Sequence, residues 1–230
     1  MCFQISTITT NARKARTARW RQANPTNLRP VPLSSTTLLS IPIGLWNCQS
    51  AVNKADIIPS IATHSGLSLM ALTETWIKPQ DTATPAALST NFTFSHTPHT
   101  IGRGGGTGLL ISNDWKFDLL PSLTGNSSFE SHAITITHPV KIHVVVVYRP
   151  PGQLGNFLEE LDVLLSNFPE DGTPLVLLGD FNIHLEKPQA TDFNTLLTSF
   201  DLKRVSTMAT HKSEQSSGRQ PIWLQKRPLY

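Results

Sequence analysis

The pattern of apolar and polar positions predicts a buried strand at residues 175–178, where four consecutive aliphatic residues follow Pro174. Such a run, bounded by Pro and polar residues, is typical of a strand in the core of a sheet. The run leads directly into Gly179, Asp180, Phe181 and Asn182. If the backbone stays extended, Asp180 and Asn182 project to one face, while Phe181 enters the core. The alternative is an Asp-containing turn that ends the strand.

Strand and helix patterns alternate along the rest of the chain. Four consecutive valines precede Tyr148, and the Pro139 turn joins this segment to an earlier strand as an antiparallel hairpin. Mixed strands with helices between them predict an α/β protein with two packed sheets flanked by helices. The predicted strands are 41–47, 67–73, 92–94, 109–112, 132–137, 141–148 and 175–178, and the predicted helices are 53–64 (with Ile57, Ile58 and Ile61 on one face), 152–168 and 192–202.

Polar residues follow three of these strands. Asn47 and Glu74 end the two strands of the first strand-helix-strand unit. Parallel strands joined by a crossover place their C-terminal ends on one edge, so these two side chains can meet there. Tyr148 ends the valine strand, where its hydroxyl is able to donate to a phosphate oxygen. The alternatives are a helix-capping role for Asn47, a surface position for Glu74 and an ordinary strand-end aromatic at Tyr148.

Four segments match one protein family in the same order. Together they resemble the endonuclease/exonuclease/phosphatase superfamily, and within it the endonuclease domain of LINE-type (non-LTR) retrotransposons. The resemblance covers about residues 41–211 and implies a four-layer α-β-β-α sandwich of two mixed sheets. The segments are Leu-Trp-Asn-Cys-Gln-Ser at 45–50, Ala-Leu-Thr-Glu-Thr-Trp at 71–76, Tyr-Arg-Pro-Pro at 148–151 and Gly-Asp-Phe-Asn at 179–182.

This resemblance implies metal-dependent hydrolysis of a phosphodiester bond in DNA. Glu74, assisted by Asn47, would hold Mg²⁺, with Mn²⁺ as the alternative, since hard cations prefer oxygen ligands. By the same resemblance, Asp180 would position or deprotonate the attacking water, and Asn182 would orient the phosphate. Tyr148 would donate a hydrogen bond to the phosphate. The expected catalytic residues are therefore Asp180, Asn182, Tyr148 and Asn47.

Two arginines are expected to contact nucleic acid. Arg103 opens the glycine-rich segment 103–108, and Arg149 follows Tyr148. An arginine in such a position is able to contact a DNA backbone. The alternative for the glycine-rich segment is a flexible turn that enters a strand, because it lacks the spacing of a phosphate-binding loop. His96 and His99 lie three residues apart without further metal ligands, so they are interpreted as loop residues.

The chain departs from the family pattern after Ser213. Family members carry a further strand with an Asp and a terminal Ser-Asp-His, whereas here no histidine follows His211. The expectation is a truncated or frame-shifted copy with an incomplete domain at 41–211, missing last strands, a divergent polar tail at 212–230 and impaired hydrolysis. The runner-up is a nucleic-acid-binding remnant without catalysis. A third possibility is a phosphatase of the same fold that acts on a small molecule.

Composition limits the class of protein. An apolar share of 39% in 230 residues fits a globular domain. No apolar run approaches the length that spans a membrane, so no membrane association is predicted. Cys2 and Cys48 form neither a disulfide framework nor a zinc pattern, which favours a reducing compartment, nuclear or cytoplasmic. The expected state is a monomer.

Charge is concentrated near the N-terminus. The formal net charge is only +3, but six Lys and Arg residues lie in 13–29, before the first acidic residue, Asp56. Residues 1–40 are therefore interpreted as a basic disordered extension. It is either an arm that binds nucleic acid or a mitochondrial transit peptide, and the alternative is a solvated tail without function.

Overall fold

The computed structural model describes residues 2–12, 37–100, 102, 104–121, 128–183, 189–205, 208–209 and 222–226. Within these ranges the chain forms strands and helices in a mixed order. The strands are β1 (Cys2–Ala12), β2 (Thr37–Asn47), β3 (Leu69–Thr73), β4 (Phe92–Thr97), β5 (Thr107–Ser112), β6 (Lys116–Leu119), β7 (Glu130–His138), β8 (Ile142–Tyr148), β9 (Leu175–Asp180), β10 (Leu202–Arg204), β11 (Met208–Ala209) and β12 (Ile222–Lys226), and the α-helices are α1 (Ile57–His64), α2 (Ala83–Leu88), α3 (Phe157–Ser166) and α4 (Gln189–Ser199).

The described strands form two six-stranded sheets. The first sheet has the order β11-β1-β2-β3-β5-β4, and the second has the order β10-β12-β9-β8-β7-β6. Each sheet contains one parallel pair at its centre, β2 with β3 and β8 with β9, while the other pairs are antiparallel. In the parallel pairs, Asn47 lies opposite Thr73 and Tyr148 lies opposite Asp180. The two pairs therefore end in polar residues.

The helices and sheets stack in the order helix, sheet, sheet, helix. Apolar side chains fill the three layers of core between them. The protein is thus an α/β sandwich of two mixed sheets, as predicted. The middle layer, between the sheets, includes Ile43, Leu45, Ala71, Leu109, Ile134, Val144, Val146, Val176 and Leu178. The outer layer of the first sheet includes Ile58 and Ala62 of α1, Leu88 of α2, Met70 and Leu72, and that of the second sheet includes Phe157 and Leu161 of α3, Phe193 and Leu197 of α4, Val145 and Leu177.

One end of the middle layer is polar. Side chains two residues apart on a strand share a face, so the inward positions can be followed along each strand. They change from Leu45 to Asn47 on β2, and from Leu178 to Asp180 on β9. On β8 the same change leads to Tyr148. The sandwich therefore holds its polar groups together at the C-terminal ends of both parallel pairs.

The N-terminal segment differs from its prediction. Cys2–Ala12 is not a disordered extension, because it pairs along the whole of β2, with Cys2 opposite Asn47 and Ala12 opposite Thr37. Ile8 is buried between the sheets. The alternation was obscured because Gln4 and Ser6 are buried polar residues at inward positions of the same strand. The part of the predicted extension at 13–36 lies outside the described residues.

The C-terminal segment also differs from its prediction. Strand β12 lies within the predicted polar tail and pairs antiparallel with β9, Ile222 opposite Gly179 and Lys226 opposite Leu175. Its pairing satisfies backbone groups of β9 that an open edge would leave unpaired. The prediction that the last strands are missing is therefore wrong at this edge of the second sheet. The rest of the predicted tail, residues 212–221 and 227–230, lies outside the described residues.

Smaller differences concern element boundaries. Helix α1 begins at Ile57, after a short 3-10 helix at Val52–Lys54, and Ile57 itself is exposed rather than buried. Helix α3 begins at Phe157 instead of Gly152. Helix α2 and strand β6 were not predicted, because both are short and carry weak apolar periodicity. None of the described helices is long and apolar enough to cross a bilayer.

Candidate active site

Asn47 joins residues of the two sheets. Its Nδ2 atom donates to Oε1 of Glu74 at 2.9 Å and to Oδ2 of Asp180 at 2.7 Å. Its Oδ1 atom accepts the backbone N–H of Gln49 at 3.3 Å. One amide therefore holds two carboxylates from different sheets within a single polar cluster. Three of the residues predicted for the site meet here.

The backbone around this cluster is unusual. Five non-glycine residues of the loops around the site have positive φ, including +54° at Glu74 and +48° at Asn182. Residues other than glycine rarely adopt this backbone region, and backbone strain of this kind concentrates at functional sites. The loop after β2 is held by Lys54, whose Nζ donates to three successive carbonyls. These are the carbonyls of Cys48 at 2.8 Å, Gln49 at 3.1 Å and Ser50 at 2.9 Å.

Asp180 and Asn182 do not lie on a continuous extended strand. Strand β9 ends at Asp180, and the backbone N–H of Asn182 donates back to Oδ1 of Asp180 at 3.2 Å. The Asn182 side chain donates through Nδ2 to the carbonyl of Arg149 at 2.7 Å. The expectation of extended backbone is thus wrong, and the Asp-containing turn describes this segment. Asp180 nevertheless reaches the cluster through its other oxygen.

Gly179 permits the close approach of β8 and β9. A Cβ atom at this position would overlap the backbone carbonyl of Val147, which rigid strand backbone cannot move aside. Because Gly179 has no Cβ, the strands pair so that Tyr148 lies directly opposite Asp180. The first position of the Gly-Asp-Phe-Asn segment therefore requires glycine for steric reasons.

Tyr148 is held as a neutral phenol. Its residue exposure is 7%, and its hydroxyl contacts the Glu74 carboxylate. Burial raises the pKa of Tyr148 far above its ordinary value, and the negative charges of Glu74, Asp180 and Glu130 add to this effect. The hydroxyl is therefore protonated at neutral pH and able to donate a hydrogen bond.

A second contact between the sheets lies beside Tyr148. Glu130 is opposite Tyr148 in the β7–β8 pair, and its carboxylate binds Nδ1 of His99 and the backbone N–H of Gly106. A Cβ atom on Gly105 would collide with His99 and Glu130. Sequence reasoning missed Glu130 and interpreted His99 as a loop residue. Glu130 lies at the site because the register of β7 and β8 places it opposite Tyr148. A local sequence motif does not contain this register.

Of the two arginines expected to contact nucleic acid, the structure describes only Arg149. Arg103 lies outside the described residues. Arg149 has an exposure of 3%, and its Nε and Nη2 atoms donate to the carbonyls of Phe181 at 2.7 Å and Asn182 at 2.8 Å. This burial contradicts the expected contact with DNA. The guanidinium binds the protein's own backbone instead.

The cluster has the composition of a site for a hard cation. Glu74 and Asp180 share the single amide donor of Asn47, so two carboxylates lie close together with further oxygen lone pairs available. Thr73 and Thr107, which face each other across β3 and β5, have buried hydroxyls without a hydrogen-bond partner in the described part of the chain. Mg²⁺ is typically held by one or two carboxylates and several waters. The residues present therefore fit such an ion.

A hydrated Mg²⁺ ion does not need a site in which every ligand is a protein side chain. Among the described residues, no group of three or more His, Cys, Asp or Glu side chains is arranged to hold a metal. The donor set that remains is two carboxylates with one carboxamide. It matches a hydrated divalent cation better than a closed zinc centre, which uses four Cys or His ligands.

Comparison with solved structures shows the same fold in several proteins. An endonuclease/exonuclease/phosphatase family protein from Leptotrichia buccalis C-1013-b has a TM-score of 0.61 at 14% identity, covering 82% of this chain and 88% of that chain. An AP endonuclease from Archaeoglobus fulgidus has a TM-score of 0.58 at 13% identity, covering 81% and 86%. D. rerio TDP2, complexed with a single-strand DNA product, has a TM-score of 0.58 at 14% identity, covering 82% and 84%.

Sequence comparison identifies the family directly. No curated protein matches the sequence significantly. The profile of the Endonuclease/Exonuclease/phosphatase family matches residues 44–224, which include all three members of the Asn47 cluster. The match also extends into β12, in agreement with the pairing of that strand in the second sheet. The chain therefore belongs to the Endonuclease/Exonuclease/phosphatase family.

Proposed function

We propose that this protein hydrolyses phosphodiester bonds of DNA with a divalent cation, as the target-nicking endonuclease domain of a retrotransposon-derived protein. The observation that carries the proposal is the cluster in which Asn47 binds both Glu74 and Asp180. Two carboxylates and a phenol donor at the open end of a sandwich supply groups for cation binding, proton transfer and phosphate contact. Such groups are those that hydrolysis of a phosphodiester requires.

Each residue of the cluster has a proposed task. Glu74, assisted by Asn47, which donates to its carboxylate, holds the divalent cation, Mg²⁺ or Mn²⁺, which when bound neutralises charge that develops on the phosphate. Asp180 orients the attacking water and accepts its proton. Tyr148 donates a hydrogen bond from its protonated hydroxyl to a phosphate oxygen. Asn182 fixes the turn after Asp180, since its Nδ2 already donates to the protein backbone.

Several observations favour DNA as the substrate. The segments at 71–76, 148–151 and 179–182 resemble LINE-type endonucleases. Among proteins of similar fold are an AP endonuclease and a TDP2 complexed with single-strand DNA product. A nuclear or cytoplasmic monomer that contacts DNA is part of the same proposal. The competing substrate class is a small phosphorylated molecule, as in the mannosyl-6-phosphatase from Bacteroides thetaiotaomicron, whose fold is also similar.

The test is nicking of supercoiled DNA by the purified 230-residue chain in the presence of Mg²⁺ or Mn²⁺. Asp180→Asn is expected to reduce nicking by at least about a hundredfold, since it removes the proton acceptor. Asp192→Asn is the matched control, because Asp192 is exposed on α4. Release of phosphate from sugar phosphates, without nicking, would favour the small-molecule phosphatase. Equal nicking by both variants would contradict the proposed site.

A further inference from the structure

Arg149 connects the ends of the parallel strands β8 and β9. It directly follows Tyr148, and its backbone N–H donates to the carbonyl of Asp180 at 2.9 Å. Its side chain then crosses to the turn beyond β9, where Nε donates to the carbonyl of Phe181 at 2.7 Å and Nη2 to that of Asn182 at 2.8 Å. Asn182 returns a bond from Nδ2 to the carbonyl of Arg149 at 2.7 Å. The bonds therefore run in both directions between the two segments.

The same guanidinium is anchored at its other edge. Nη1 donates to the carbonyls of Gly152 at 3.3 Å and Gln153 at 3.1 Å. The Cζ atom lies 5.5 Å from the centroid of the Phe157 ring, which is fully buried in the outer core layer. A guanidinium is planar and presents donors in a fixed fork, so it holds several carbonyls in one geometry and also stacks on an aromatic face. A lysine ammonium is a compact charge without this planar fork, so it does not hold the same carbonyls in the same geometry.

We infer that Arg149 is a positioning residue that fixes the turn at Phe181–Asn182 and thereby holds the Asp180 carboxylate against Asn47. The expected effect of Arg149 on catalysis rests on the proposed function. The physical link is short: Asn182 donates its backbone N–H to Oδ1 of Asp180 at 3.2 Å, while Oδ2 accepts from Asn47. If the Asn182 carbonyl is released, the turn that orients Asp180 loses its anchor.

Positive φ at Asn182 is a second feature of this turn. Asparagine adopts φ +48° more readily than most residues, and contacts from the surrounding chain offset the remaining cost. Arg149 and the Asn182 side chain supply such contacts from both sides of the turn. A buried arginine also loses hydration, which its hydrogen bonds to carbonyls offset. The arrangement therefore suits the support of a strained turn better than it suits a contact with DNA.

The experiment compares Arg149→Met and Arg149→Lys with the parent chain. Arg204→Met is the matched control, because Arg204 is an exposed arginine on β10. All activities are measured well below the unfolding transition of each variant. We expect Arg149→Met to lower kcat for nicking by about a hundredfold, with little change in KM, since a misplaced catalytic group affects the chemical step. Arg149→Lys should lie between Arg149→Met and the parent, and it carries the test if Arg149→Met does not fold.

Two further measurements separate positioning from DNA contact and from global destabilisation. The slope of log affinity for DNA against log salt should stay unchanged in both variants, since loss of a phosphate contact would reduce it by about one. Amide hydrogen exchange of Asn182 should become at least about tenfold faster in Arg149→Met, while exchange of Leu177 within β9 stays unchanged. Arg204→Met should alter neither kcat nor the exchange of Asn182.

The outcomes are distinct. An unchanged kcat, an unchanged Asn182 exchange rate or a salt slope reduced by about one would each overturn the inference. If the parent chain does not nick DNA under any condition, the proposed function fails, and hydrogen exchange alone decides the role of Arg149. Faster exchange confined to the turn then supports positioning, and uniform or unchanged exchange overturns it.

Discussion

The Nδ2 atom of Asn47 lies 2.7 Å from the Oδ2 atom of Asp180, although the two residues are 133 positions apart in the chain. They belong to different sheets, so this bond forms only when the sheets pack face to face. The same amide holds Glu74 at 2.9 Å. The relative position of the two carboxylates therefore depends on one neutral side chain, which makes Asn47 a sensitive point for substitution.

Asn47→Ala is expected to reduce nicking by about a hundredfold, because the two carboxylates lose the donor that sets their separation. The free energy of unfolding should also fall by about 2 kcal/mol, as expected for lost hydrogen bonds to charged groups. Nicking of supercoiled DNA and urea unfolding measure the two effects. Asn91→Ala, at an exposed position before β4, should change neither. Full activity of Asn47→Ala would show that the bridge is incidental.

Glu74→Gln tests the proposed cation ligand. The substitution preserves size and removes the charge that a hard cation requires, so Mg²⁺ affinity should fall at least about tenfold while the fold persists. Isothermal calorimetry measures the affinity, and circular dichroism checks the fold. Glu159→Gln, at an exposed position of α3, is the control. If Glu74→Gln binds Mg²⁺ as tightly as the parent, Glu74 is not the ligand.

His132 predicts a pH dependence of stability. Its ring nitrogens contact Ser95 Oγ at 2.8 Å and Thr97 Oγ1 at 3.0 Å between the sheets. Burial, followed by the nearby His96, lowers the pKa of His132 from 6.5 to about 4. Between these values the unfolded chain binds more protons, so this contribution is complete above about pH 6.5 and is lost as the pH falls towards 4.

The expected loss from His132 is about 2 kcal/mol between pH 7 and pH 5. Urea unfolding at pH 7 and pH 5 measures it. In His132→Gln this part of the pH dependence should disappear, whereas His64→Gln, at the exposed end of α1, should retain it. Identical pH profiles for the parent and His132→Gln would contradict the prediction.

The basic segment at 13–29 is predicted to contribute salt-dependent affinity for nucleic acid, because neutralised phosphates release counterions. Deletion of residues 1–40 is unsuitable as a test, since it removes β1 and the beginning of β2. Simultaneous substitution of Arg13, Lys14, Arg16, Arg19 and Arg21 by Gln leaves both strands intact. The slope of log affinity against log salt should flatten. An unchanged slope would assign the segment to a solvated tail, and the pair Lys203→Gln and Arg204→Gln provides an exposed control.

Sequence patterns alone were enough to predict the fold class and the three residues of the Asn47 cluster. Aliphatic runs such as that of β9 predict buried strands because strand side chains alternate between two faces, and burial on both leaves no polar position. Asn47 and Glu74 were predicted to meet because their parallel strands end on a common edge, and the resemblance to the endonuclease/exonuclease/phosphatase superfamily placed Asp180 with them. Local periodicity and short motifs carry this information.

Other features of the candidate site depend on how the two sheets pack. Glu130 and His99 reach the site through the pairing of β7 with β8 and the packing of the two sheets, neither of which local patterns contain. Arginine commonly contacts DNA, but Arg149 is buried and donates to the carbonyls of Phe181 and Asn182 instead. Strand β1 was hidden because its inward positions include polar residues that only the opposite sheet buries. These features depend on contacts between residues distant in sequence, and such contacts arise only when the sheets assemble.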